Sequence, residues 1–278
     1  MKIPFRKISA TGNDFVVIDH RHRFLSKEHL GDFAREICTY HTGIGADGVL
    51  LLENTTKADY RMHYFNSDGS RGEMCGNGAR ALAWFAHLHN LWDTTGEFIA
   101  DDGKHQVFRE KESFGVTLNV ESAGQKVDLD DGEVGWMINT GVPHLVLFTG
   151  DVASENVIER GHRLRYDARF TPAGINVDFV QVNDDILQMR TYERGVEQET
   201  LACGTGVTAA ALIAADKFGL SFPIQIHMPG GRLDVRKIEG EWSLWGSVEE
   251  VFTGKLNVMT RIRPYMDVNS KNEITAGE

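Results

Sequence analysis

The sequence predicts an α+β fold of two pseudo-symmetric halves, each a curved, strand-rich sheet wrapped around a central helix. Three observations carry that prediction. Short β-type runs are punctuated by glycine, which makes up 29 of 278 residues against a typical ~7%. Two alanine-rich segments, Ala79 to Asn90 and Val207 to Phe218, are apolar on nearly all faces, as enclosed helices are. Each is entered through the same tetrad, CGNG at 75–78 and CGTG at 203–206, and the cysteines lie 203 − 75 = 128 residues apart, close to half the chain. That spacing reads as an internal duplication.

In chain order, Phe15 to Ile18, Val49 to Leu52, Val116 to Val120, Leu145 to Phe148, Val177 to Val182 and Ile224 to Ile226 read as strands by length and β-branched content. Leu30 to Tyr40 reads as a third helix. The halves divide in the polar, acidic stretch near Lys126 to Glu133, giving domains 1–128 and 129–264, with 265–278 as a polar, aperiodic tail expected to be mobile.

Composition narrows the function. With 29 basic and 40 acidic residues the formal charge is −11, which disfavours contact with phosphate backbones or anionic membranes; neither a nucleic-acid nor a membrane partner is expected. Cys38, Cys75 and Cys203 form no CxxC pair, and an odd count does not suggest a disulfide framework. No stretch resembles a signal peptide or a membrane span. A reducing cytoplasm is the expected setting.

The chemistry lies in the two tetrads. The first N–H groups of a helix lack intrahelical partners and carry the positive end of its dipole, so they favour a thiolate or a bound carboxylate. Two such cysteines at equivalent points of duplicated halves suggest sulfurs facing one ligand carbon from opposite sides, one removing a proton as thiolate and the other returning one as thiol. Inversion of a stereocentre needs that arrangement. Cys38, in an amphipathic helix with no glycine neighbour, reads as a structural thiol.

The motifs TGNDFVVID (11–19), FNSDGS (65–70), MCGNGAR (74–80), YERG (192–195) and ACGTG (202–206), in this order, resemble those of the diaminopimelate epimerase family over nearly the whole chain. The resemblance implies a cofactor-independent epimerase that converts LL-diaminopimelate to the meso form, working as a homodimer, with the site between two pseudo-symmetric domains, each a β-barrel-like sheet wrapped around a central helix. It places the catalytic cysteines at Cys75 and Cys203 and the carboxylate-cradling backbone at Gly76, Asn77, Gly204 and Thr205. The substrate-contacting asparagines fall on Asn13, Asn66 and Asn176, and the Glu-Arg pair on Glu193 and Arg194. Pro143 and His144 match the family's Pro-His, His144 tuning a cysteine and Glu193 helping to hold the ammonium near the reacting carbon. A diamino dicarboxylate suits such a set, since carboxylates take ammonium and an Arg fork takes carboxylate. Two positions depart from many members: Val142 stands where they have asparagine, and Gly48 where they have glutamine. The rivals are a racemase resembling proline racemase and, from another class, a thiol redox sensor joining Cys75 to Cys203.

Other signals read as structural. Gly43, Gly45 and Gly48 satisfy GxGxxG but follow a helix and precede a strand, the reverse of the dinucleotide-binding order. The pairs His20/His22 and His87/His89 read as solvated histidines, and no metal site is expected.

Overall fold

The computed structural model describes residues 2–120, 123–130 and 132–257, so the tail at 265–278 lies outside the described residues. Contacts divide the described residues into two compact units, one of 2–9, 14–106 and 249–257, the other within 10–13 and 107–248.

In the first unit, strands Lys2–Ala10 and Asn13–Asp19 lead to helix α1 (Leu30–Cys38), then to strands Gly48–Glu53 and Tyr60–Asn66, the short strand Arg71–Gly72, helix α2 (Gly76–Leu88) and strand Thr95–Ala100. Asn13–Asp19 runs parallel to Gly48–Glu53, with Phe15 opposite Gly48, and Gly48–Glu53 pairs antiparallel with Tyr60–Asn66. Helices cover both faces of these strands, which is why their sequences are continuous apolar runs rather than alternating ones. Val16, Ile18, Val49 and Leu51 join Phe33, Ala34 and Ile37 of α1 in one core. Phe15 and Leu50, on the opposite face, lie under Gly78 of α2. Cys38 is buried in the α1 core, and burial pushes its thiol up to about 12.

The second unit repeats this order. Strands Val134–Asn139 and Pro143–Phe148 lead to helix α3 (Val157–Arg165), strands Asn176–Asn183, Ile186–Glu193 and Gln198–Thr200, helix α4 (Gly204–Phe218), and strands Ile224–Met228, Gly231–Ile238 and Glu241–Ser247. The parallel pair is again present, with His144 opposite Asn176. Val157 and Leu164 of α3 pack with Leu145, Leu147, Val177 and Phe179 as α1 does in the first unit. The fold is thus α+β with duplicated halves, as the tetrads imply.

Three details differ from the sequence reading. Helix α3 was not anticipated: it buries only Val157, Gly161 and Leu164 and is otherwise charged, and Asn156 caps it by accepting from Glu159 N–H. The central helices begin at Gly76 and Gly204, three residues before Ala79 and Val207, because the Cys75 and Cys203 carbonyls already accept from Ala79 and Val207 N–H at 2.7 and 2.9 Å. The units exchange their edges relative to a division at 128. Strand Ser113–Leu118 pairs with Glu241–Ser247 and so counts with the second unit, whereas strand Glu249–Asn257 pairs with Lys2–Ala10 and counts with the first.

Candidate active site

In the first unit, Cys75 is the N-cap of α2, in extended backbone (φ −139°, ψ 117°), and its Sγ accepts from Gly78 N–H at 3.4 Å. Gly76, Asn77 and Gly78 follow, all buried. Arg80, one turn into the helix and fully buried, donates to Asn77 Oδ1 at 2.6 Å. Burial lowers the Arg80 guanidinium to about 10, and the charge of Cys75 acts to raise it. The Cys75 helix start therefore meets a buried cation. Asn66 closes its strand by accepting from Tyr64 Oη–H at 2.6 Å and donating to Ser70 Oγ at 2.9 Å. It sits opposite Gly48 in the ladder. A Cβ on Gly48 would lie 2.5 Å from the Phe65 carbonyl oxygen, so this backbone admits no glutamine there.

In the second unit, Cys203 caps α4 with nearly the same backbone (φ −131°, ψ 106°). Its surroundings differ. Sγ contacts Thr205 Oγ1 at 3.4 Å, and Thr205 Oγ1 contacts His144 Nε2 at 2.9 Å. His144 Nδ1 faces Asp178 Oδ2 at 2.7 Å, and Thr191 donates to Asp178 Oδ1 at 2.9 Å. His144, Asp178 and Thr191 are wholly buried. Asn176 accepts from Arg194 N–H at 2.8 Å and turns its amide nitrogen toward His144 Nε2 at 3.5 Å. Glu193 accepts from Thr200 at 3.0 Å and hydrogen-bonds Cys203. Burial, then Glu193 and Asp178, push the Cys203 thiol well up, and the contacts of Thr205 and Gly206 N–H do not reverse this. Burial likewise raises the Glu193 carboxyl above its ordinary value.

The residues singled out in the sequence therefore fall into two groups. Cys75, Gly76, Asn77 and Asn66 belong to the first unit; Cys203, Gly204, Thr205, His144, Asn176, Glu193 and Arg194 belong to the second. Asn13 also counts with the second, since Gly12 beside it packs on Leu201, two residues before Cys203. The Arg194 guanidinium donates to Ala173 O at 3.1 Å. Around Val142, Thr140 ties the loop to α4 by donating to Thr205 O at 2.8 Å.

Asp178, Thr191 and Arg80 were missed by sequence reasoning. For Asp178 the signal was available: it follows Leu50 by 178 − 50 = 128, the spacing of the two cysteines. His20 is a correction. It is buried, not solvated, with Nδ1 2.8 Å from Glu53 Oε1 and Nε2 accepting from Leu25 N–H, because Glu53 ends a strand buried along its whole length and needs donors. The Gly43–Gly45 segment folds back on the end of α1, its N–H groups bonding to Thr39 O and Ile37 O. Among the described residues no group of three or more His, Cys, Asp or Glu could hold a metal ion, and no helix is long and apolar enough to cross a membrane.

Comparison with known proteins agrees with this architecture. The diaminopimelate epimerase family model matches residues 5–134 and 136–255. A diaminopimelate epimerase of Aquifex aeolicus is 42% identical, over 91% of this chain and 97% of its own length. One from Methanocella arvoryzae is 36% identical, over 92% and 98%. Among solved structures, a phenazine biosynthesis protein of the PhzF family from Enterococcus faecalis superposes with a TM-score of 0.73 at 14% identity, covering 92% of this chain and 100% of that one. A probable proline racemase from Agrobacterium radiobacter K84 gives 0.66 at 13% identity, over 92% and 93%, and at such identities the likeness is one of fold. Matched along nearly its whole length by the family model and by these relatives, the chain belongs to the diaminopimelate epimerase family.

Proposed function

We propose that this chain interconverts LL- and meso-diaminopimelate by moving a proton at one α-carbon between two cysteines, without a cofactor, in the synthesis of lysine and cell-wall precursors. The observation that carries the reading is the repeated cap: each cysteine opens a buried helix whose first N–H groups have no intrahelical partner and can hold a carboxylate as charge builds on the α-carbon. In this reading Cys75, beside Gly78 N–H and above the buried Arg80, rests as the thiolate base, and Cys203, among carboxylates, rests as the thiol acid. Glu193 and Arg194 bind the charged ends of the substrate with Asn13, Asn66 and Asn176, and Gly76, Asn77, Gly204 and Thr205 cradle the carboxylate at the reacting centre. The relatives named for diaminopimelate favour it over proline. Cytoplasmic location and pairing of two copies are further parts of the proposal, resting on the free thiols and the family resemblance.

The test is an assay of the purified protein, kept in reductant, on LL-diaminopimelate and on proline. Turnover of the former is expected, with losses of about 10²–10⁴-fold on replacing either Cys75 or Cys203 with alanine. Turnover of proline alone, or full activity in either alanine variant, would overturn the reading.

A further inference from the structure

His144, Asp178, Thr191, Thr205 and Cys203 form one hydrogen-bonded chain, and the partners of Asp178 and Asn176 set the tautomer of His144. Both Asp178 oxygens face donors, His144 Nδ1 and the Thr191 hydroxyl, so Nδ1 carries the imidazole proton. Asn176 is oriented by Arg194 N–H on its Oδ1, so its amide nitrogen faces Nε2. Nε2 is therefore an acceptor. The Thr205 hydroxyl lies between Nε2 and Cys203 Sγ, at 2.9 and 3.4 Å; giving its proton to Nε2 leaves its oxygen to accept from the Cys203 S–H, which also reaches Glu193.

We propose that Asp178 is a positioning residue: by keeping the proton of His144 on Nδ1, it leaves Nε2 able to take, through the Thr205 hydroxyl, the proton that Cys203 must release between its two catalytic states. This rests on the two-cysteine reading. The step balances with one proton. The Cys203 S–H bond breaks as a Thr205 O–H bond forms, and the former Thr205 proton makes the Nε2–H bond. The product is a thiolate and an imidazolium, the latter paired with the Asp178 carboxylate, and reversal restores the thiol. A two-base epimerase leaves each cysteine in the other's protonation state after every inversion. Such a conduit converts the buried Cys203 thiol into the thiolate that the meso-to-LL direction needs.

The duplication supplies the control for a merely structural role. Beneath Gly78, at the equivalent points of the first unit, stand Phe15 and Leu50; beneath Gly206 stand His144 and Asp178. The scaffold packs with an apolar pair at this place. An imidazole and a carboxylate are not needed to fill it, and burying them has a desolvation cost.

The experiment combines a spectroscopic and a kinetic readout. In protein labelled with ¹⁵N-histidine, with the His144 resonances identified by their loss in His144→Phe, the unmodified protein should show neutral His144 protonated at Nδ1. Asp178→Asn should move the proton to Nε2, because the amide offers Nδ1 a donor. It should also lower kcat on LL-diaminopimelate by about 10²–10⁴-fold, the range of general-base loss and of the tautomer error known for buried Asp–His pairs, with KM changed far less. Thr205→Val should lower kcat far more than the hydroxyl-retaining Thr205→Ser. An Nε2-protonated His144 in the unmodified protein, parental kcat in Asp178→Asn, or equal activity of the two Thr205 variants would overturn the proposal. If Asp178→Asn does not fold, the tautomer and the Thr205 pair still decide. If LL-diaminopimelate is not a substrate, the two-cysteine reading falls, and the tautomer alone judges the conduit.

Discussion

Under the two Cys-Gly-x-Gly helix starts, matched ladders carry opposite chemistry. The first unit holds Phe15, Gly48, Leu50 and Asn66; the second holds His144, Asn176, Asp178 and Glu193 at the corresponding places. The correspondence follows from register: Phe15 pairs with Gly48 as His144 does with Asn176, and Val49 lies opposite Phe65 as Val177 lies opposite Tyr192. Of the four residues in the first set, three are apolar or lack a side chain; of those in the second, three are ionisable. Near-identical caps thereby stand in different surroundings: buried Arg80 lies one turn beyond Cys75, whereas burial, Glu193 and Asp178 push the Cys203 thiol up. One backbone pattern sets both helix starts, and the proposed division into thiolate and thiol rests on the residues below it.

The most severe way to break the comparison is to give the second unit the first unit's solution. A His144→Phe, Asp178→Leu double variant should fold, as judged by circular dichroism and a cooperative thermal melt, and lose turnover by about 10²-fold or more. Retained turnover would show that the polar ladder does not set the chemistry. Selective alkylation sharpens the same contrast. At neutral pH iodoacetamide, mapped by mass spectrometry, should modify Cys75 before Cys203, and Cys38 should remain unmodified in the folded protein because burial holds its thiol at about 12. Earlier modification of Cys203 would reverse the assignment of thiolate and thiol.

Smaller effects separate the two helix starts themselves. A Cβ on Gly206 would meet Asp178 Oδ1 at 2.7 Å and Met189 Cε at 2.9 Å, whereas one on Gly78 would meet Leu50 Cδ2 at 3.2 Å and Phe15 Cε1 at 3.4 Å. Gly206→Ala should cost about 1–3 kcal/mol in denaturant melts as an overpacked core does. Gly78→Ala should change stability by less than about 1 kcal/mol, helix propensity offsetting the tighter fit. Equal costs would contradict the difference in packing.

The smallest expected effect is on stability against pH. Glu53 is buried, which alone would raise its carboxyl, but the bonds of His20 and His63 outweigh burial and hold it well below the ordinary range. Its contribution is present above the unfolded value of about 4.3 and is lost as pH falls toward the folded one. Glu193 has the opposite sign: raised in the fold, it contributes most below about pH 4.3 and loses that contribution as pH rises through its folded value. At pH 7, Glu193→Gln should therefore raise Tm and Glu53→Gln should lower it. Tm shifts of the same sign would be the contrary result.

The duplicated scaffold was legible because both faces of its inner strands are covered, which leaves FVVI and VLLL as unbroken apolar runs, and because alanine-rich helices follow two copies of one tetrad. Helix α3 escaped notice because three buried residues suffice to dock it, too few to stand out among its charges, although α1 at nearly the same offset marked the place. Cys75, Cys203 and their glycines were legible as local patterns. For Asp178 the 128-residue offset from Leu50 marked only the place; its role was not legible, since a carboxylate inside a strand gains its meaning from His144, which only the parallel pairing of two distant segments brings within 2.7 Å. His20 was misread for the same reason, its partner Glu53 lying on another strand.

Isotope uptake during turnover reports on the proton transfer between the two cysteines itself. LL-diaminopimelate is incubated with the enzyme in heavy water, and both isomers are followed by NMR at early times. Two cysteines acting on one carbon predict meso product carrying one deuteron at the inverted centre, while the remaining LL substrate stays unlabelled. Deuterium entering the LL substrate ahead of product formation would mean that a single base serves both faces, and would contradict the account.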